Sequence, residues 1–164
     1  MNYQIIPFQE KYQQAVVGLI LPIQQNEFHV PITIADQPDL KTIPAFYLTR
    51  HGNFWLALCA GEVVGTIALI DIGNDQVALR KMFVHRDHRG KEKGVAQLLF
   101  DVLLAWCKQK HVTEIFLGTI DSMLAAQRFY IRNGFEEIAK AKLPATFPVM
   151  PVDNRFYKCN AKLH

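Results

Sequence analysis

MFVHRDHRGKEKGVAQLLFDVLLAWCK, residues 82 to 108, joins the end of an apolar run to a helical pattern through a turn rich in cations and holding Gly90 and Gly94. From Gly94 to about Lys110, Val95, Leu98, Leu99, Val102, Leu103 and Trp106 recur at i, i+3, i+4, i+7, i+8 and i+11, one face of an α-helix. A helix N-terminus carries unpaired N–H groups and about half a positive charge, so it attracts anions wherever its backbone can be approached. Gly94 and Ala96 leave that approach open, and Arg89, Lys91 and Lys93 add charge around it. The turn is therefore built as an anion cradle. It has neither the GxxxxGK-Ser/Thr of a Walker loop nor the GxGxxG of a dinucleotide fingerprint. Its residues instead fit a looser pattern, in which a cation and two further residues precede glycine, one residue and alanine, here Lys91-Glu92-Lys93-Gly94-Val95-Ala96.

Upstream, FWLALCA (54–60), VVGTIALI (63–70) and VALRKMFV (77–84) are rich in aromatic and β-branched residues. The turn signals Gly61-Glu62 and Gly73-Asn74-Asp75 separate them and predict a three-stranded antiparallel meander. Downstream, IFLG (115–118) reads as a short buried strand. A helix follows from about Ser122 to Arg132, with Asp121 or Ser122 placed to cap it and Asn133-Gly134 to end it. FEEIA (135–139) and RFYKC (155–159) are the last strand candidates. Nearer the start, YQII (3–6) reads as a strand and residues 9–21 as a helix closed by Pro22. Irregular chain then precedes a helix near 44–50, which Pro44 opens and His51-Gly52 close. The crossover after Val84 needs a parallel partner while the hairpins need antiparallel ones. The expectation is an α/β (α+β) fold, one domain over residues 1–164, with helices flanking a mixed, mostly antiparallel sheet.

Half of the 164 residues are hydrophobic, a fifth are charged, and the net charge is +3. That is an ordinary globular composition, and its mild charge argues against a dedicated nucleic-acid binder. Cys59, Cys107 and Cys159 are odd in number and form no CxxC pair, which points to reduced, buried thiols. The N-terminus lacks the pattern of a secretory signal, and the apolar stretch AVVGLIL (15–21) is too short to span a bilayer. A cytoplasmic protein that engages neither membrane nor nucleic acid is expected.

The stretch 82–108, taken with LGTIDSMLAAQRFYIRNGFEEI (117–138), resembles the GNAT superfamily of acyl-CoA N-acyltransferases, and the resemblance covers nearly the whole chain. The first segment is similar to that family's pyrophosphate-binding segment. The second is similar to its other signature, a strand leading to a helix with alanines, a Phe-Tyr pair and Asn-Gly-Phe. One departure is that Lys91-Glu92-Lys93 separates Arg89-Gly90 from Gly94, two residues more than the shortest family form, RGxGxG. This leaves Arg89, Lys91 and Lys93 all open as phosphate ligands.

The resemblance implies acetyl transfer from acetyl-CoA, as co-substrate, to a primary amine by direct attack, without a metal. The strand at 77–84 would splay from the strand at 115–118, offering the backbone of Met82, Phe83 and Val84 to pantetheine. The pyrophosphate would sit at Gly90 and the amides of Lys91 to Ala96, Val95 included. The helix from Ser122 would flank the thioester, with Ala125 and Phe129 lining the channel. Tyr130 would be the general acid, and the N–H of Met82 or a neighbour would hold the oxyanion. Glu27 and His29 are candidates for the general base beside a water chain, with Asp71 an outside choice. Gln37-Pro38-Asp39-Leu40 either shapes the acceptor pocket or is a plain turn. The proline-punctuated LPATFPVMPVDNRFYK (143–158) either packs across the acceptor mouth or forms a homodimer contact.

Plainer readings stand beside these. Gly94 can be an ordinary helix-start residue, Tyr130 a core tyrosine, and His85 and His88 exposed loop histidines lacking a third ligand. Rival functions are a catalytically inactive CoA-binding sensor and a nucleotide phosphate-binding protein of another class. Small polyamines, aminoglycosides, amino acids, and peptide N-termini or lysines are all compatible acceptors.

Overall fold

The computed structural model describes residues 2–164. Its meander is formed by β2 (Asn53–Cys59), β3 (Glu62–Gly73) and β4 (Gln76–Val84), with β1 (Tyr3–Pro7) antiparallel to β2. The crossover helix α3 (Val95–Gln109) brings β5 (Glu114–Thr119) parallel to β4. β7 (Arg155–Asn160) then inserts between β5 and β6 (Glu136–Ile138), giving a seven-stranded sheet in the order β1-β2-β3-β4-β5-β7-β6. The β4–β5 pair is the parallel one, and the others are antiparallel. This is the mixed sheet that the crossover and the hairpins demand together.

One face of the sheet buries α3 through Val95, Leu99, Phe100, Leu103 and Cys107. The expected stripe is rotated: Leu98 is 40% exposed, while Phe100 is buried edge-on against Phe129 of α4 (Leu124–Arg132) and near Phe135. A second apolar neighbour beside the sheet widens the stripe, and each such buried side chain contributes roughly 1.5–3 kcal/mol relative to exposure. The other face buries α1 (Gln13–Pro22) and the single turn α2 (Ile43–Tyr47) through Val16, Ile20, Ile43 and Tyr47 against Phe54, Leu56 and Ala68.

Three local expectations are corrected. Pro22 does not close the first helix, which continues as a wider π-turn over Ile23–Glu27, with the Phe28 N–H donating to the Ile23 carbonyl at 3.1 Å. Pro22 sits inside α1, where its missing N–H would have faced the Gly18 carbonyl, and the helix continues past it. Neither Asp121 nor Ser122 caps α4. Gln127 donates to the carbonyls of Ile120 and Asp121 at 3.0 and 3.1 Å, tying the helix to the segment that precedes it. The helix read near 44–50 also stops earlier, at Tyr47, and Arg50 turns the chain with φ +52.

Candidate active site

β4 and β5 pair only over Gln76–Glu114, Val77–Ile115 and Ala78–Phe116. Past Ala78, β4 stays on β3 up to Val84 while β5 stays on β7 up to Thr119, so the strands part. A cavity of about 110 Å³ opens at the parting. Leu79 to Phe83 line one side, Gly118 to Ile120 the other, and Met123, Ala126 and Tyr130 the α4 side. Gln24, Val30 and Ile32 reach it from the segment after α1, and Met150, Val152 and Asp153 from the loop before β7.

A bulge sits at the mouth. The β3–β4 register slips between Thr66 and Ala68, Lys81 has φ +53, and the Thr66 hydroxyl donates to the Lys81 carbonyl at 2.6 Å. An extra residue breaks the alternation of a strand. Leu79, Met82 and Val84 pack towards α3, whereas Arg80 reaches the Met150 sulfur and Lys81 reaches Gln37 and Asp39. Successive cations thus serve the same side.

Lys81 is buried with Asp39, at 3.5 Å between Nζ and Oδ2, and it donates to Gln37 Oε1. The Tyr47 hydroxyl donates to the same Asp39 oxygen at 2.5 Å, and Gln24 and Gln37 exchange amide hydrogen bonds of 3.1 and 2.9 Å. Burial pushes the Lys81 ammonium down to about 8, against the opposing pull of Asp39, and pushes the Tyr47 phenol well up. This network ties residues 24–47 to the bulge.

Asp153 and Tyr130 face the same cavity. A Cβ on Gly118 would lie 2.6 Å from Asp153 Oδ2, so glycine on β5 leaves the space that the carboxylate occupies. Burial raises the Asp153 carboxyl to about 6, while Arg80 and Lys81 pull it back. Tyr130 is 5% exposed, and burial, followed by the charges of Asp153 and Tyr157, pushes its phenol well above the ordinary value. At neutral pH Tyr130 holds a proton and Asp153 is mostly without one.

The glycine turn lies at the end of β4. Gly90 and Gly94 have φ +112 and +68, and the Gly90 carbonyl accepts from the N–H groups of Lys93 and Gly94 at 3.2 and 3.0 Å. The Leu98 N–H closes onto the Gly94 carbonyl at 3.0 Å, so the amides of Val95, Ala96 and Gln97 form the open end of α3. Lys93 Nζ donates to the Asp87 carbonyl at 2.6 Å, and Lys91 is exposed. Arg89 donates through Nε to the Val84 carbonyl at 2.8 Å and through both terminal nitrogens to the Glu27 carboxylate.

The residues singled out in the sequence divide accordingly. Met82, Phe83 and Tyr130 come together on the cavity, with Val84 just beyond on β4, while Arg89, Gly90, Lys91, Lys93, Gly94, Val95 and Ala96 gather at the end of α3. Ala126 lines the cavity, whereas Ala125 and Ser122 are exposed and Phe129 is buried against Phe100. Glu27 and His29 are not among the lining residues. The hydrogen bonds from Arg89 hold the Glu27 carboxyl below its usual range, and His29 is exposed. Asp71 instead accepts from the backbone N–H groups of His51 and Gly73. No sequence motif points to Asp153. Its only signal there is a glycine in a buried strand, which asks what approaches it. His88 Nδ1 is hydrogen-bonded with the Tyr3 hydroxyl at 2.9 Å, and among the described residues no group of three or more His, Cys, Asp or Glu is arranged to hold a metal.

A sequence model of the acetyltransferase (GNAT) family matches residues 19–135. Among solved structures, an acetyltransferase of the GNAT family from Staphylococcus aureus Mu50 is 42% identical with a TM-score of 0.94, over 98% of this chain and 99% of that one. An acetyltransferase from Streptococcus agalactiae 2603 is 28% identical with a TM-score of 0.92, over 96% and 98%. Among curated proteins, N-acetyltransferase family 8 member 2 of Rattus norvegicus is 32% identical over 106 residues, 62% of this chain and 46% of its own length. The chain spans less than half the length of the curated relatives it matches.

Lys81→Met strands the buried Asp39 carboxylate without its cation, and the expected loss is about 3–5 kcal/mol in urea unfolding. Adding Asp39→Asn removes the stranded charge, keeps an acceptor for Tyr47, and recovers most of that loss in the same measurement.

Proposed function

The chain belongs to the GNAT acetyltransferase family, and we propose that it moves an acetyl group from acetyl-CoA to a primary amine by direct attack. The observation that carries this reading is the parting of β4 and β5 beside a glycine-turned helix end. The β4 edge from Leu79 to Val84, freed of β5, offers backbone groups to the pantetheine amides as an added strand would. The open amides at Val95 and Ala96 suit the pyrophosphate, with Gly90 and Gly94 giving the turn its shape. Lys91 is the exposed cation of the loop, while Arg89 is held by Glu27 and Val84 and Lys93 by Asp87.

An alkylamine has a pKa of about 10 and arrives protonated. Asp153 takes the first proton, freeing the lone pair. Glu27 is engaged by Arg89 and His29 is exposed, which favours Asp153 as the base. The amine nitrogen bonds to the thioester carbonyl carbon, whose oxygen gains the negative charge and lies towards the N–H of Met82. As the adduct collapses the C–S bond breaks, and Tyr130 gives its proton to the leaving sulfur. The surplus proton on the new amide nitrogen restores Tyr130, and Asp153 releases its proton to water. The products are the N-acetylated amine, CoA thiol and one proton.

A thiol-release assay over a panel of amines tests the reading, and tight CoA binding without release from any of them would overturn it. Gly94→Glu places a side chain and a negative charge on the pyrophosphate seat, and loss of detectable CoA binding is expected by calorimetry. Tyr130→Phe should lower kcat about 100-fold or more with little change in acetyl-CoA affinity. Because its pKa is raised, Asp153 keeps its proton until the pH passes about 6. kcat/KM therefore rises through that region and levels above it, and Asp153→Asn removes the acid limb.

A further inference from the structure

Among the described residues, two charged side chains on the cavity make no contact ion pair, although Arg80 and Lys81 attract the Asp153 carboxylate from a distance. Asp153 uses its own N–H on the Met150 carbonyl at 3.1 Å, but among the described residues its carboxylate has no hydrogen-bond or ion-pair partner. Arg80 donates to the Met150 sulfur at 3.1 Å and, among the described residues, has no carboxylate within ion-pair distance. Both line the same cavity. The third charge there, Lys81, is already answered by Asp39.

Partly burying a carboxylate and a guanidinium that do not touch costs desolvation that their attraction across the cavity only partly returns. A ligand carrying a cation and an anion a few bonds apart answers both, whereas a ligand with only a cation leaves the guanidinium unanswered. We infer that the acceptor is an α-amino acid bound as its zwitterion, the ammonium on Asp153 and the carboxylate on Arg80. This rests on the acetyl-transfer reading and names the substrate class for that same site.

The remaining wall narrows the side chain. Val30, Ile32, Val152 and Met150 make it apolar, which suits an aliphatic or thioether group. Polyamines and aminoglycosides would bring further cations against Arg80 and Lys81. A peptide N-terminus or a protein lysine brings no free carboxylate next to its amine and needs an exit for its chain.

The test is thiol release from acetyl-CoA with matched pairs: leucine against isoamylamine, methionine against 3-(methylthio)propylamine, and valine against isobutylamine. A charge-assisted contact to the carboxylate predicts a kcat/KM higher by on the order of 10- to 100-fold for the amino acid of a pair. In Arg80→Met, checked by calorimetry to bind CoA as the wild type does, that ratio should fall towards one through a raised KM for the amino acid. Turnover of the bare amines at rates equal to or above those of the amino acids overturns this inference and leaves acetyl transfer standing. A preference that survives Arg80→Met likewise overturns the carboxylate seat. Tight CoA binding with no release from either class overturns the transferase reading and this one with it.

Discussion

The parting of β4 from β5 after Ala78 is the constraint on which the rest of the molecule depends. A parallel pair left incomplete exposes strand edges that would ordinarily invite aggregation, and here they are turned inward and covered. The segment after α1 roofs one side through Val30 and Ile32, and the loop before β7, anchored by buried Phe147, closes the other. The bulge at Lys81 follows from the same need, because it sends Arg80 and Lys81 to one side of the strand while Met82 and Val84 still pack on α3.

Burial acts on the site's titratable groups through one cause with opposite signs. Removing a charge from water disfavours the charged form, so the Lys81 ammonium falls to about 8 while the Asp153 carboxyl rises to about 6. Tyr130 rises for the same reason and remains a proton donor. Their partners differ, however. Lys81 sits in a satisfied network with Asp39, Gln37 and Tyr47, which is a structural arrangement. Among the described residues, Asp153 lines the cavity without a contact ion pair.

Arg89 joins the two halves of the site. Its guanidinium spans from the Val84 carbonyl at the end of β4 to Glu27 at the end of the π-turn, so the glycine loop and the segment after α1 share one side chain. The π-turn places Glu27 there, because it carries the chain one further turn before it leaves the helix.

Much of the fold was legible in local chemistry. Alternating apolar runs with glycine turns specified the meander, helical spacing from Val95 specified α3, and Gly94 marked where that helix begins. These are short-range properties, set by backbone preference and by periodicity over a few residues. The glycine turn and Tyr130 can be singled out for the same reason, since each lies within one continuous segment. The pairings of Asp39 with Lys81 and of Glu27 with Arg89, and the approach of Asp153 to Gly118, were not legible. Each depends on contacts between residues far apart in the chain, brought together by the order β4-β5-β7 and by the roofing segments, and no local pattern encodes such a meeting. Asp153 reads in sequence as one more polar residue in a proline-rich loop. It becomes a carboxylate lining the cavity only once β7 has inserted beside β5 and the strand next to it has parted.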